Sequence, residues 1–380
     1  MKAKSIKGKS SEEIKMALSE SMADGFKPTL ALVFLSIRQD RDAISTILDK
    51  EGIAIFGVTS CGEFIDGQVE EGAIVMLLMD MKKTDFSILI ESYAGREQKD
   101  IAKEIGEAAL GIFTNPSFLI ATSIVIPDGF PDGEATLNGL QSATGADITI
   151  WGGNAGDDRL FDHTHVFTNN QSFGTGIILL VMDADKIMMK GQAAFGWKPS
   201  GTVRVITNCS NGCIHTIDNQ PALDVILKFL GLKLTREEAE KFTPGSVVFC
   251  LIRDEGAPIM RSSGYFNWDD RSVFVNGHIE QGAKVRFALP PDFEIVEEVT
   301  KDAQQIRDEG FPDADALVMF SCIGRFIELG PMISTEIEGV KNSFNVPMAG
   351  FFAYGEFGRA TKGKNEFHNN TCCWVALKEK

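Results

Sequence analysis

GVTSCGEF, residues 57–64, ends a hydrophobic strand on glycine and an acid, and the chain repeats the phrase as GGNAGDD at 152–158 and GFFAYGEFG at 350–358. Each copy follows a turn signal, Glu51-Gly52, Gly145-Ala146-Asp147 and Asn345-Val346-Pro347 in turn. Each is followed by a further apolar run: GAIVMLLMD, GTGIILLVMD and TCCWVALK. Three copies of one supersecondary unit predict an internally repeated chain whose glycine-ended strands gather in one region.

Working outward from the first copy, Ser10 and Glu13 stand in capping-box spacing before Ile14, Ala17, Leu18 and Met22, which predicts a helix. LALVFLSI at 30–37 reads as a buried strand, 42–50 as a short helix, and 53–59 as the strand that runs into the phrase. The same order returns with a helix at 100–113, the strand FLIATSIVI at 118–126, a turn at Pro127-Asp128-Gly129 and a helix at 134–144. It returns again with a helix at 294–309, ALVMFSCIGR, and a helix through Ile337, Val340 and Phe344. Between the second and third copies, VVFCLI, IMRSSGYF and SVFVNG form a β-rich stretch, preceded by a helix from Thr235 that stops before Pro244. The expected fold class is α/β, with mixed β-sheets layered with helices and built from repeated strand-helix-strand-turn-strand units. A helical segment at 1–28, a first domain at 29–218 and a second at 219–380 are expected, with the boundary near Asp218.

The 380 residues carry 37 basic and 53 acidic side chains and a formal charge of -16, which repels nucleic acid and anionic membrane surfaces. Neither is an expected partner. No apolar run is long enough to span a bilayer, and the basic N-terminus lacks the apolar core of a secretory signal. The seven cysteines are scattered, and Cys372 and Cys373 face opposite ways in one strand, which reads as reduced, cytoplasmic usage.

A strand that breaks at glycine lets a ligand approach the backbone, and the polar residues beside each break are the candidate lining. They are Thr59, Ser60, Cys61 and Glu63 in the first copy, Asn154, Asp157 and Asp158 in the second, and Tyr354 and Glu356 in the third. The alternative is that the glycines only permit tight turns and the acids cap them. In SCIGR, Arg325 is suited to hold a carboxylate in bidentate fashion with Ser321 assisting, and Glu336 or Glu356 to hold an ammonium group, making a site for a zwitterion. Equally, Arg325 pairs with Glu328, Glu336 or Glu356 as internal support. Cys61 and Cys322 sit at strand ends without a histidine nearby, so packing is the expected role and nucleophilic catalysis the rival. His163 and His165 with Asp157 or Asp162, and Cys209, Cys213 and His215, are loose clusters without metal-site spacing. No dinucleotide fingerprint or P-loop is present.

The phrases GVTSCGEF, GGNAGDD, AAFGWKPSG with NQPALDVILKFLG, SCIGR and GFFAYGEFG, in this order, resemble the FIST family, with its N-terminal and C-terminal domains in tandem. The resemblance covers the chain from Thr29 onward and implies a sensory module of intracellular signal transduction that binds small molecules such as amino acids. It implies no catalytic residues. It also implies an alternative, a haem-dependent nitric oxide sensor acting on a histidine kinase or a cyclic-dinucleotide enzyme, for which His215, His278 and His368 are the candidate axial ligands. The expected function is therefore a stand-alone cytoplasmic sensor that binds a small polar ligand, an amino acid or other carboxylate, without a cofactor, and signals through a separate partner. The rival from another class is a hydrolase or transferase using a strand-end Cys or Ser.

Overall fold

Alternating burial explains the continuous hydrophobic strands. In the strand Leu30–Ser36, Leu30, Leu32 and Phe34 face one core while Ala31, Val33 and Leu35 face another, so both sides of the strand are apolar. The computed structural model describes residues 1–93, 95–125, 132–210, 212–239, 247–254, 258–290, 292–360 and 363–380. The turn expected at Pro127-Asp128-Gly129 and the helix stop before Pro244 lie outside the described residues.

Three six-stranded sheets share one strand order. The first runs Ala3–Gly8, Ile74–Met79, Leu30–Ser36, Ala54–Ser60, Val166–Phe167, Ser172–Phe173. The second runs Phe86–Ser92, Gly176–Asp183, Pro116–Ser123, Ile150–Gly153, Glu356–Arg359, Asn365–His368. The third runs Ile187–Ala194, Cys372–Glu379, Ala316–Cys322, Met348–Ala353, Glu63–Ile65, Gln68–Glu70. In each, the third and fourth strands are parallel and joined through helix, and the second returns antiparallel beside the third. The inner faces meet in one central core, with Phe34 of the first sheet 4.9 Å from Phe351 of the third and Trp151 and Ile178 supplied by the second. The outer faces are covered by helices: Ser11–Met22 and Arg41–Lys50 on the first, Gln98–Ile112 and Gly133–Thr144 on the second, Glu294–Asp308 and Met332–Phe344 on the third.

The first 28 residues hold a strand as well as the expected helix Ser11–Met22, since Ala3–Gly8 is the edge strand of the first sheet, paired with Ile74–Met79. An edge strand with one covered face needs few apolar residues, so MKAKSIKG does not announce itself as a strand. Lys198–Ser210 pairs on one side with Lys284–Leu289 and on the other with Cys213–Ile217, closing a six-strand ring through Val248–Ile252, Ile259–Phe266 and Val273–Val275. This small barrel is inserted in the third unit, between Ile187–Ala194 and the helix Glu294–Asp308. The boundary expected near Asp218 falls inside it, since the hairpin on its N-terminal side and the strands after Val247 belong to one ring.

The hairpin following each glycine phrase leaves its own unit. Glu63–Ile65 pairs with Met348–Ala353, Val166–Phe167 with Ala54–Ser60, and Glu356–Arg359 with Ile150–Gly153. Each exchange sets a phenylalanine opposite the first glycine of a phrase: Phe167 opposite Gly57, Phe357 opposite Gly152, and Phe64 opposite Gly350. A Cβ on Gly57 would lie 2.5 Å from the Phe167 ring and one on Gly350 2.1 Å from that of Phe64, so at these two positions glycine makes room for an aromatic ring rather than for a ligand.

Candidate functional site

Where the chain passes from one sheet to the next, the three phrases bond to one another. Gly156 N and Asp158 N donate to the carbonyls of Thr59 and Ser60 at 2.8 and 2.9 Å. Asn154 N donates to Gly355 O at 2.8 Å and Tyr354 N to Asn154 O at 3.2 Å, while Cys61 N donates to Phe352 O and Phe352 N to Gly62 O, both at 2.9 Å. The strand ends expected to gather do so, in a central hub.

Each phrase brings one acid to this hub directly after a glycine: Glu63 after Gly62, Asp157 after Gly156 and Glu356 after Gly355, all three fully buried. Two of them are satisfied within the chain. Glu63 accepts from Ala73 N at 2.9 Å and from Ser60 Oγ, and Thr59 exchanges hydrogen bonds with the His165 backbone. Asp157 accepts from Tyr354 Oη at 2.5 Å and from the backbone N–H groups of Phe161, Asp162 and His163 at 3.2, 2.7 and 3.1 Å. It thereby ties the loop after the second phrase to the third, where Tyr354 stacks on Phe161. Glu356 is different: Oε2 accepts from Thr371 Oγ1 at 2.7 Å, and Oε1 has no partner at hydrogen-bonding geometry, with the Cys322 thiol beside the carboxyl.

Around Glu356 other buried polar atoms also lack partners. His368 stands directly opposite Glu356 on the neighbouring strand, so both side chains share one face, and neither ring nitrogen is bonded. Asn370 Nδ2 is likewise unbonded, as are Asn154 Nδ2, Ser321 Oγ and Asn276 Oδ1, of which Asn154 faces the other side of its sheet because Glu356 is paired with Gly153. Asn276 comes from the barrel and donates through Nδ2 to Tyr354 O at 2.7 Å, while Trp197 Nε1 donates to Asn370 O at 3.1 Å. This corner is thus the one where the barrel meets the hub. Buried polar groups are ordinarily bonded, and each left unpaired costs about 1–3 kcal/mol.

Arg325 does not offer its guanidinium to this corner. Cys322 caps the helix Ile323–Leu329, which directs Arg325 toward the helix Met332–Phe344, where Nε donates to Glu336 Oε1 at 2.8 Å and Nη2 to Glu336 Oε2. Nη1 donates to Phe195 O at 2.6 Å, and both partners of the ion pair are fully buried. The carboxylate anchor gives way to the alternative of internal support, and Glu336 leaves the candidate lining with it. The reason is sequence-local: the helix that carries Arg325 begins where a strand end was expected.

The thiols are poorly placed for nucleophilic chemistry. Burial pushes the Cys61 thiol up to about 12, beside the Tyr354 hydroxyl, and burial with the Glu356 charge raises Cys322 well above its ordinary value. Cys322 Sγ donates to Asn370 Oδ1 at 3.7 Å. Ser60 reaches a carboxylate, Glu63, but both are fully buried and that carboxylate is already shared with Ala73 N. Among the described residues no group of three or more His, Cys, Asp or Glu side chains is arranged to hold a metal.

Two family models match the chain, the FIST N domain over residues 29–220 and the FIST C domain over residues 222–359. The chain belongs to the FIST family. FIST domains are sensory domains of signal transduction. No curated protein matches the chain. In this FIST protein the two matched segments are interleaved, since the third sheet takes strands from both, and the hub is made where they cross. No described helix is long and apolar enough to cross a membrane.

The family's haem alternative can be weighed on the histidines. His278 is exposed beside Glu280, and His215 bonds Ser210 Oγ at 2.9 Å on the barrel. His368 is buried, with Glu356 opposite it on the neighbouring strand and the Phe195 ring 5.0 Å from its own. A groove of about 560 Å³, lined by Ile55, Ile88, Ile90, Glu91 and Glu104 among others, lies elsewhere and includes none of the hub acids.

Sequence reasoning reached Glu356 and Asn154 but missed Asn276 and Asn370, and weighed His368 only as a haem ligand. HNNT, residues 368–371, is polar throughout, yet all four residues are buried. The one available signal was a polar run flanked closely on both sides by apolar strands.

The hub also makes stability pH-dependent. Burial raises Glu63 and Glu356 from 4.5 to about 8, and burial lowers His165 and His368 from 6.5 to about 4 and about 3. Between pH 6.5 and 8 the folded chain retains carboxyl protons that the unfolded chain has released, so stability falls as pH rises. Below 6.5 the two histidines act in the opposite sense, because the unfolded chain takes up their protons first. The urea midpoint is expected to drop from pH 6.5 to 8.5, and Glu63→Gln to flatten that drop; a wild-type midpoint that is level or rising there refutes the assignment.

Proposed function

We propose that this FIST protein is a sensor that binds a small polar ligand at the Glu356 corner of its hub and passes the event to a separate partner. The observation that carries the reading is the broken equivalence of the three acids: two are hydrogen-bonded within the chain, and the third keeps an oxygen without a partner, opposite the unbonded His368. Thr59, Ser60 and Glu63 then hold the hub together, Cys61, Asp157 and Tyr354 lock its loops, and Cys322 and Glu356 line the corner with His368, while Asn154 and Ser321 face away from it. A ligand bonded to both Asn276 of the barrel and the Glu356–Asn370 strands would fix the barrel against the hub. Population shift then needs only that the ligand favour this docked arrangement.

The partner classes implied by the family, a histidine kinase or a cyclic-dinucleotide enzyme, are the first to assay. A cytoplasmic setting agrees with seven free cysteines. The test is a thermal melt of the full chain with panels of amino acids, small acids, small amides and haemin. At least one polar compound is expected to raise the melting temperature, by the equivalent of about 2.7 kcal/mol at a hundredfold excess over Kd. Glu356→Leu is expected to lose the response. A response retained in Glu356→Leu moves the site elsewhere, and a Soret band with haemin as the sole responder replaces this reading with the haem sensor.

A further inference from the structure

Each six-stranded sheet ends on an edge strand: Ala3–Gly8, Phe86–Ser92 and Ile187–Ala194. Natural edges are guarded against foreign strands by lysine, proline, bulges or a covering element. AKSIKG carries Lys4 and Lys7, and IMMKGQAA carries Lys190. FSILIES has neither lysine nor proline, and its one charge, Glu91, comes after Phe86, Ile88, Leu89 and Ile90. The first edge is also sealed to the hairpin beside it, where Lys7 Nζ donates to Gln68 Oε1 at 2.9 Å and Glu70 Oε1 at 2.6 Å, and Ser5 Oγ to Asp66. At the third edge Gln192 Nε2 donates to Asp302 of the helix Glu294–Asp308. The edge of the second sheet stays open. The groove of about 560 Å³ runs beside it, lined by Phe86, Ile88, Leu89 and Ile90 of the strand and by Ile55 and residues 168–171 of the first sheet. Among the described residues no side-chain hydrogen bond joins these two sets.

The direction of the free backbone groups follows from the pairing. Asp183 N donates to Asp85 O at 2.9 Å and Tyr93 N to Thr175 O at 3.2 Å, at the two ends of an unbroken antiparallel register. Bonded pairs alternate along such a ladder, so Ser87, Leu89 and Glu91 bond to Gly176–Asp183. Phe86, Ile88 and Ile90 turn N–H and C=O the other way, where no described strand pairs with them.

We propose that Phe86–Ser92 is a docking edge at which a separate protein adds an extended segment, apolar at alternate positions and carrying a lysine or arginine beside Glu91. Backbone bonds to Ile88 and Ile90 supply affinity, and apolar side chains of the segment fill the groove. The basic residue follows from charge. Glu91 is exposed and in no ion pair among the described residues, whereas Glu104 in the same groove is held by Arg96. The net charge of -16 disfavours a second copy of this chain as the occupant. This surface goes beyond the Glu356 corner and does not depend on it.

The experiment uses the full chain. In the free protein, amide hydrogen exchange followed by NMR is expected to be roughly tenfold or more faster at Ile88 and Ile90 than at Leu89. Equal protection at all three shows the edge already covered and overturns the proposal. A displayed library of random seven-residue peptides is then selected on the protein, and an enriched peptide is synthesised. It is expected to be rich in β-branched and aromatic residues with a lysine or arginine, and to slow exchange at Ile88 and Ile90. Methylation of its alternate backbone nitrogens is expected to weaken binding roughly tenfold or more. Leu89→Lys, which gives this edge the guard of the other two, is expected to weaken it roughly as much, with the fold checked by circular dichroism, and Glu91→Lys roughly two- to fivefold. If no sequence is enriched, or if the peptide binds Leu89→Lys as tightly as wild type, the edge is not a docking site. If wild type is a dimer that Leu89→Lys makes monomeric, a second copy fills the groove and the separate partner is ruled out.

Discussion

Replacing Arg325 with Met is expected to cost about 3–5 kcal/mol of folding stability, because it leaves the Glu336 carboxylate buried without its partner. Loss of the bond to Phe195 O adds an unpaired carbonyl. The double variant Arg325→Met with Glu336→Leu is expected to regain most of the loss, since well-packed apolar side chains avoid the desolvation that the ion pair has to offset. Urea titration of the three variants against wild type measures the pair as a cycle. If the single variant unfolds at the wild-type midpoint while ligand binding disappears, Arg325 returns to the site as an anchor and the support role is wrong. The two roles give opposite patterns, which makes this pair the most decisive one to substitute.

Gly152→Ala is the second large effect. Its Cβ would lie 1.9 Å from the carbonyl oxygen of Ile120 on the parallel neighbouring strand, and a central strand packed on both faces has no room to give. Gly350→Ala meets the matching obstacle in the third sheet, 2.2 Å from Met319 O and 2.1 Å from the Phe64 ring. Each is expected to lose about 3 kcal/mol or more, as overpacking with backbone displacement does. Gly111→Ala, in the helix Gln98–Ile112 with nothing within 4 Å of the added Cβ, serves as the control and is expected to gain about 0.5–1 kcal/mol. Equal midpoints for Gly152→Ala and Gly111→Ala would show that the sheets are looser than their packing implies.

Much of the local structure was legible. The capping box at Ser10 and Glu13, the apolar stripes of the helices and the doubly buried strands follow from periodicities of a few residues, and they appear where those periodicities place them. The edge strand Ala3–Gly8 and the helix Ile323–Leu329 were not legible. The first is half exposed, and the second is too short for its stripe to show. The closed barrel escaped too, since ring closure depends on Lys198–Ser210 pairing on both sides, and no local pattern records how many neighbours a strand has.

The amino-acid sequence by itself determined that this chain is a thrice-repeated α/β protein of the FIST family, because repetition and hydrophobic period are written in consecutive residues. Only the tertiary structure decided that the hairpins are exchanged among the sheets, that Arg325 turns to Glu336, and that Glu356 alone of the three hub acids keeps a free oxygen. The physical reason is distance along the chain. Whether a buried polar atom is satisfied depends on which remote segment is folded against it, and near Glu356 that segment is the barrel.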